Sequence, residues 1–123
     1  MRVYIAGPIS LGDLRDNIEQ ANVAFFELAR VGFAPFCPQW SCFGGEMIAT
    51  QEGYYSKAEH MPRGTNWDFW IDLDLPWVEV SDAVLRLPGE SKGADAEVAH
   101  AQKNGIPVFT NIDDLLNWRE TLA

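Results

Sequence analysis

The sequence predicts an α/β protein: one domain, residues 1–123, in which a mostly parallel sheet of four or five strands is covered by helices on both faces. Two observations carry this expectation. Short apolar β-runs alternate with stretches of helical periodicity along the chain, the order that parallel pairing requires because each crossover takes up a helix. The 123 residues, 47% hydrophobic and 12% aromatic, also suffice to bury a core without disulfide or metal staples.

The elements follow in chain order. Arg2 to Ala6 is a β-run closed by Gly7 and Pro8. Asp13 has the chemistry of an N-cap for a helix reaching Arg30, with the stripe Leu14, Ile18, Ala21, Phe25 and Leu28 turned inward and Gly32 as the stop. Phe33 to Cys37 is a second strand. The segment 38–64, rich in glycine and aromatic residues, is expected to be irregular and to shape the site, because a loop of that length in a small domain is usually functional. Thr65 and Asp68 are spaced as a capping box for a third helical stretch, on which Trp67, Trp70, Ile71 and Asp74 share one stripe and which Pro76 is expected to end. Ala83 to Leu87 and Val108 to Thr110 are further strands, and Asn111 to about Leu122 is a last helix with Ile112, Leu115, Leu116 and Trp118.

Charge narrows the partners. A net charge of −9 argues against a broad nucleic-acid or membrane surface, since both select for clustered Lys and Arg. No apolar run approaches the roughly 18 to 20 residues of a membrane span, and MRVYIAG is too soon broken for a signal peptide, so a cytoplasmic protein is expected. Cys37 and Cys42, with only His60 and His100 beside them, do not make a zinc pattern; reduced thiols near a core are expected, with no metal and no cofactor.

The most informative stretch runs from Asp82 to Val108: strand, glycine-punctuated loop, helix, strand. In its helix Ala94, Val98 and Ala101 fall at i, i+4 and i+7, and Glu97 lies on the same inward stripe. A buried carboxylate is costly and needs a partner or a function; Lys103 and Arg86 are the available structural partners. Asp74 is the second carboxylate on an inward stripe. Sites in parallel sheets lie beyond the carboxyl ends of the strands. That edge collects Gly7, Pro8, Ile9 and Ser10 after the first strand, and Ser91 and Gly93 after the third, where free backbone N–H groups at a helix start can hold a phosphate or a sugar hydroxyl. Glu90 opposes an anion there, and an ordinary strand-to-helix connection accounts for the same glycines.

Three segments, YIAGPI at Tyr4 to Ile9, DLPWVEVSD at Asp74 to Asp82 and PGESKGADAEVAHA at Pro88 to Ala101, resemble the nucleoside 2-deoxyribosyltransferase superfamily, which includes the deoxynucleoside 5′-monophosphate N-glycosidases. The similarity is nearest to a small branch with LPGES-G-D-EV loops. It implies a Rossmann- or flavodoxin-like three-layer fold and an enzyme acting on a nucleoside or nucleotide, assembled as a homodimer or higher homo-oligomer. By the resemblance, Glu97 matches the nucleophile that attacks the anomeric carbon, Asp74 the aspartate that handles the proton on the departing base, and Tyr4 the tyrosine that holds the nucleophile. Ser91 matches a serine that meets the 5′-phosphate, and Asn111 a residue that a neighbouring subunit lends to the site. The first loop, GPISLGD, lacks the arginine of the monophosphate hydrolases; Arg15 is the available substitute.

The chemistry needs two acids. Cleaving an N-glycosidic bond passes through an oxocarbenium-like sugar, which one carboxylate captures while another protonates the leaving base. A place near a helix N-terminus is expected to keep Glu97 charged, and Asp74 to keep or relay a proton. Hydrolysis of a (deoxy)nucleoside monophosphate, sugar transfer between bases, and nucleotide binding without turnover all remain open from sequence. Trp40, Trp67 and Trp70 are candidates to stack on a base, though helical spacing also suits a core; His100 is expected to face out or pair locally.

Overall fold

A computed structural model of the chain describes residues 1–9, 11–41 and 67–122. Ser10, Cys42, His60, Thr65, the side chain of Trp67 and all but the first residues of the 38–64 segment lie outside the described residues. Strands β1 (Arg2–Ala6), β2 (Ala34–Phe36), β3 (Ala83–Arg86) and β4 (Val108–Phe109) alternate with helices α1 (Leu14–Arg30), α2 (Trp67–Glu79), α3 (Lys92–Lys103) and α4 (Ile112–Thr121). The sheet of the described residues has four strands in the order β2-β1-β3-β4, every pair parallel. This is the doubly wound arrangement the alternation predicted, with four strands where four or five were expected.

Strand β1 is central, and its period-two alternation feeds two cores. Val3 and Ile5 face α1 and α4 with Ala21, Ala24, Leu28, Leu85 and Leu115; Tyr4 and Ala6 face α2 and α3 with Val78, Val84, Ala94 and Ala101. All four of these β1 side chains are fully buried. Registers of Val3 with Ala83 and Tyr4 with Val84 fix which β3 side chain shares each face.

Local chemistry sets the helix ends. Asp13 caps α1 by accepting the Asp16 N–H at 3.0 Å. Its C-terminus closes in a Schellman pattern: Phe33 N–H reaches the Leu28 carbonyl at 3.0 Å and Gly32 N–H that of Ala29 at 3.1 Å, with Gly32 at φ +94. Asn111 caps α4 by accepting from Asp114 N–H at 2.8 Å.

Two expectations need correction. Pro76 does not end its helix but lies inside α2, which continues to Glu79. The proline removes the N–H that would pair with the Asp72 carbonyl, at a cost of about 3 kcal/mol, but Asp72 is exposed to water and the turn beyond is anchored by fully buried Val78. Tertiary packing therefore overrides the local preference. The segment expected to be irregular from Pro38 begins as helix over residues 38–41. Of the two cysteines, Cys37 is a buried free thiol whose Sγ donates to Gln39 Oε1 at 3.2 Å. No described helix is long and apolar enough to cross a membrane.

Candidate active site

The topology has its switch point between β1 and β3, the place beyond the carboxyl ends of the strands where sites of such sheets lie. Two loops leave from there and are packed together. Leu87 N–H donates to the Ala6 carbonyl at 2.8 Å, prolonging the ladder by a step. A Cβ on Gly7 would lie 3.0 Å from Leu87 Cβ, and one on Gly89, at φ +112, would lie 2.9 Å from Pro8 Cγ. Glycine at both positions thus lets the β1 and β3 loops touch. Gly7 and Pro8 are buried in this contact, and the Ile9 carbonyl is held by Asn17 Nδ2 at 2.9 Å. Arg86 stiffens the second loop by donating to the Leu87 carbonyl, to the Gly89 carbonyl at 3.0 Å and to Asp95 Oδ1 at 3.1 Å.

Helix α3 leaves that loop under a cap from Ser91, whose Oγ accepts the Ala94 N–H at 3.0 Å. Ala94 and Ala101 fix its inner face against β1 and β3, which aims Glu97 at the sheet. Glu97 is 6% exposed, and its Oε2 accepts a hydrogen bond from the hydroxyl of Tyr4. The partner of the inward carboxylate is therefore the strand-one tyrosine. Arg86 acts on it by charge alone, through space, and pairs directly with Asp95.

Asp74 projects from the half-buried side of α2, which packs along α3. The two helices are also clasped one turn away, where His100 Nε2 and Glu79 Oε1 stand 2.8 Å apart. His100 thus pairs across to the neighbouring helix, with a residue 21 positions away, where facing out or a local pair was expected. The Asp74 carboxyl is near enough to raise the pKa of both Glu97 and Tyr4 through its charge. Tyr4, Asp74 and Glu97 form one electrostatic cluster on the α2–α3 face of the sheet.

The protonation of that cluster corrects a third expectation. Glu97 lies in the second turn of α3, inside the protein, and burial pushes its pKa up to about 8; the Asp74 charge adds to the rise, while the Tyr4 hydrogen bond and the Arg86 charge oppose it. Desolvation outweighs the helix dipole, whose influence fades beyond the first turn. Burial likewise lifts Asp74 to about 7. The Tyr4 phenol is held far above its ordinary range by burial and by the charges of Glu97 and Asp74, so it is a fixed donor. Both carboxyls thus titrate close to neutrality, Glu97 above Asp74.

The remaining expected residues divide. Ser91 and Gly93 sit at the start of α3, half-buried, on the loop that precedes Glu97. Ser91 has its capping role, yet its hydroxyl hydrogen is still a donor. Asn111 is not brought to Glu97 within one chain: it caps α4 and lines a cavity of about 390 Å³ with Val23, Ala24, Leu85 and Leu87, on the face occupied by α1. Arg15 is exposed in the first turn of α1, in a cleft with Asp13 and Glu19. Trp40 packs on Phe25 at 4.4 Å between ring centroids and donates to Asn22 Oδ1, and Trp70 meets Phe69 edge-on at 5.1 Å. Among the described residues the Trp70 Nε1 is buried without a partner.

Two features escaped the sequence reading. Gln39 is 1% exposed and donates to the Ile5 carbonyl at 3.2 Å, tying the end of β2 to β1. Phe36 stacks between Tyr4 at 5.7 Å and Trp77 at 5.2 Å, walling one side of the Tyr4 ring. Strand alternation could have placed Phe36 opposite Tyr4; nothing in CPQW marked the glutamine as buried.

The fold has a counterpart among solved structures. A 2-deoxyribosyltransferase from Bacillus psychrosaccharolyticus superposes with a TM-score of 0.58 over 88% of this chain and 69% of that one, at 17% identity. At that identity the likeness concerns the fold. Comparison with curated proteins finds no match. One family model, described as a domain of unknown function, DUF4406, matches residues 1–110. With nearly the whole chain covered by that match, the protein belongs to the DUF4406 family.

Proposed function

We propose that the protein is an enzyme that breaks the N-glycosidic bond of a (deoxy)nucleoside 5′-monophosphate by way of a glycosyl-Glu97 intermediate. The observation that carries this reading is the buried Tyr4–Glu97 hydrogen bond with Asp74 coupled to both groups. In the first step a carboxylate oxygen of Glu97 bonds to the anomeric carbon as the carbon–nitrogen bond breaks, and the base leaves with the proton of Asp74. In the second, water attacks the same carbon, Glu97 departs as carboxylate and Asp74 takes the water proton. The products are free base and sugar phosphate, and the enzyme returns to its starting protonation.

The raised pKa values bring both acids into the neutral range, but Glu97 at about 8 stands above Asp74 at about 7, so the form with its proton on Asp74 is the minor one in the free protein and is selected by the developing positive charge on the sugar. Asp74, near 7, can hold a proton at neutral pH and pass it on. Glu97 reacts as the carboxylate, which the Tyr4 hydrogen bond favours and a developing positive charge on the sugar favours further. Ser91 and Gly93, with the β1 loop from Gly7 to Ser10, are assigned to the sugar and its 5′ substituent, and the 38–64 segment, which joins β2 to α2, to the base side of the pocket. Asn111 is assigned to the site of a neighbouring subunit.

The solved 2-deoxyribosyltransferase of like fold supports a close variant in which a second base replaces water in the second step. Product analysis separates the two. Each nucleotide and nucleoside is incubated with and without an acceptor base; free sugar phosphate marks hydrolysis, and a nucleoside carrying the new base marks transfer. No cleavage of any substrate in either arm overturns both.

A further inference from the structure

The outermost ridge of α1 is anomalous for a surface helix. Its inner face is well defined by Ile18, Ala21, Ala24 and Leu28. Directly opposite, Val23 is 53% and Phe26 59% exposed, three residues apart on one ridge. Exposed charges continue the same ridge at each end, Glu19 four residues before Val23 and Arg30 four after Phe26. Neither charge has a salt bridge among the described residues.

Offsets of 4, 3 and 4 residues alternate the two core positions of a heptad, the seam of a helix pair. The order of side chains makes the seam self-complementary. Positions 19 and 30 share a midpoint with positions 23 and 26, so a two-fold axis through that point sets Val23 against Phe26 of a second copy, and Glu19 against its Arg30. Each contact occurs twice, apolar in the middle and oppositely charged at the rims, as an isologous interface requires.

We infer that α1 is a homodimer surface on which a second copy of this chain docks antiparallel through Glu19, Val23, Phe26 and Arg30. Charge complementarity selects this occupant. The net charge of −9 would otherwise keep two copies apart, and here Arg30 of one copy stands opposite Glu19 of the other. The inference does not depend on the reaction proposed above.

Sedimentation of the full chain tests it. The wild type is expected at twice the 13.8 kDa of one chain, and Phe26→Glu at the mass of one chain with an unchanged thermal melt by circular dichroism. Glu19→Arg and Arg30→Glu are each expected to weaken the dimer at least tenfold, because each sets like charges together. Combining them restores opposite charges, so the double variant should dimerise as tightly as wild type. A wild-type monomer at the highest soluble concentration, a Phe26→Glu dimer as tight as wild type, or a double variant no tighter than the single ones overturns the inference.

Discussion

The hydroxyl of Tyr4, in the central strand, donates to the carboxylate of Glu97, 93 positions later in the chain. Strand β1 and helix α3 meet there because β1 pairs with β3 and the loop after β3 turns directly into α3 under the Ser91 cap. The contact joins the largest fully buried side chain to the buried carboxylate of the helix layer, and Tyr4→Phe isolates it. Losing one charge-assisted hydrogen bond, about 1.5 to 3 kcal/mol, should lower kcat/KM about 10- to 100-fold. Because this bond opposes the rise in the Glu97 pKa, the variant should also titrate Glu97 above about 8, measured by carbon NMR of the carboxyl.

Asp74→Asn should move Glu97 the other way. The aspartate charge raises the Glu97 pKa, so its removal lowers it. Removing the proton donor should also slow turnover by about 10²- to 10⁴-fold for bases that leave poorly, and much less for bases that leave as stable anions. Equal losses across a series of bases contradict the assigned role.

The pH profile of kcat/KM follows from the two raised pKa values. In the proposed reaction the reactive form carries one proton, on Asp74, and none on Glu97, a minor form of the singly protonated pair because Glu97 has the higher pKa. Below about 7 both groups are protonated and above about 8 both are ionised, so the profile should be a narrow bell with limbs that belong to the pair.

Stability should depend on pH through the same groups. Glu97 in the folded state holds its proton to about 8, against an ordinary 4.5 in the unfolded chain, so between these values the folded state binds more protons. Its contribution is greatest below 4.5 and falls as pH rises to about 8, by at most a few kcal/mol. Glu97→Gln removes this loss and should therefore gain in melting temperature relative to wild type as the buffer goes from pH 5 to 9.

How much of this was legible in the sequence differs by residue. The alternation of strands and helices, the Asp13 cap, the Gly32 stop and the inward placement of Glu97 follow from periodicity and local chemistry, and the described structure has each of them. That Tyr4 is the partner of Glu97 came from resemblance to a family, since no spacing rule connects positions so far apart. Local signals misled at Pro76, where packing of Val78 overrides a helix breaker, and at Glu97, where burial outweighs the helix dipole. The close approaches of Gly7 to Leu87 and Gly89 to Pro8 belong to tertiary contacts that sequence does not record.

Those approaches carry their own expectation. Gly89→Ala forces a side chain into a left-handed backbone and against Pro8, and should destabilise the fold by about 1 to 3 kcal/mol in denaturant melts. An unaffected melt contradicts the described packing of the two loops.

The central step of the proposed reaction is a bond between Glu97 and the sugar. Rapid quenching of the enzyme with a deoxynucleoside 5′-monophosphate, followed by mass spectrometry of the peptides, should find a sugar phosphate attached to Glu97 and none in Glu97→Ala, which releases no base. Base release by Glu97→Ala at the wild-type rate, or a sugar adduct on any other residue, contradicts it.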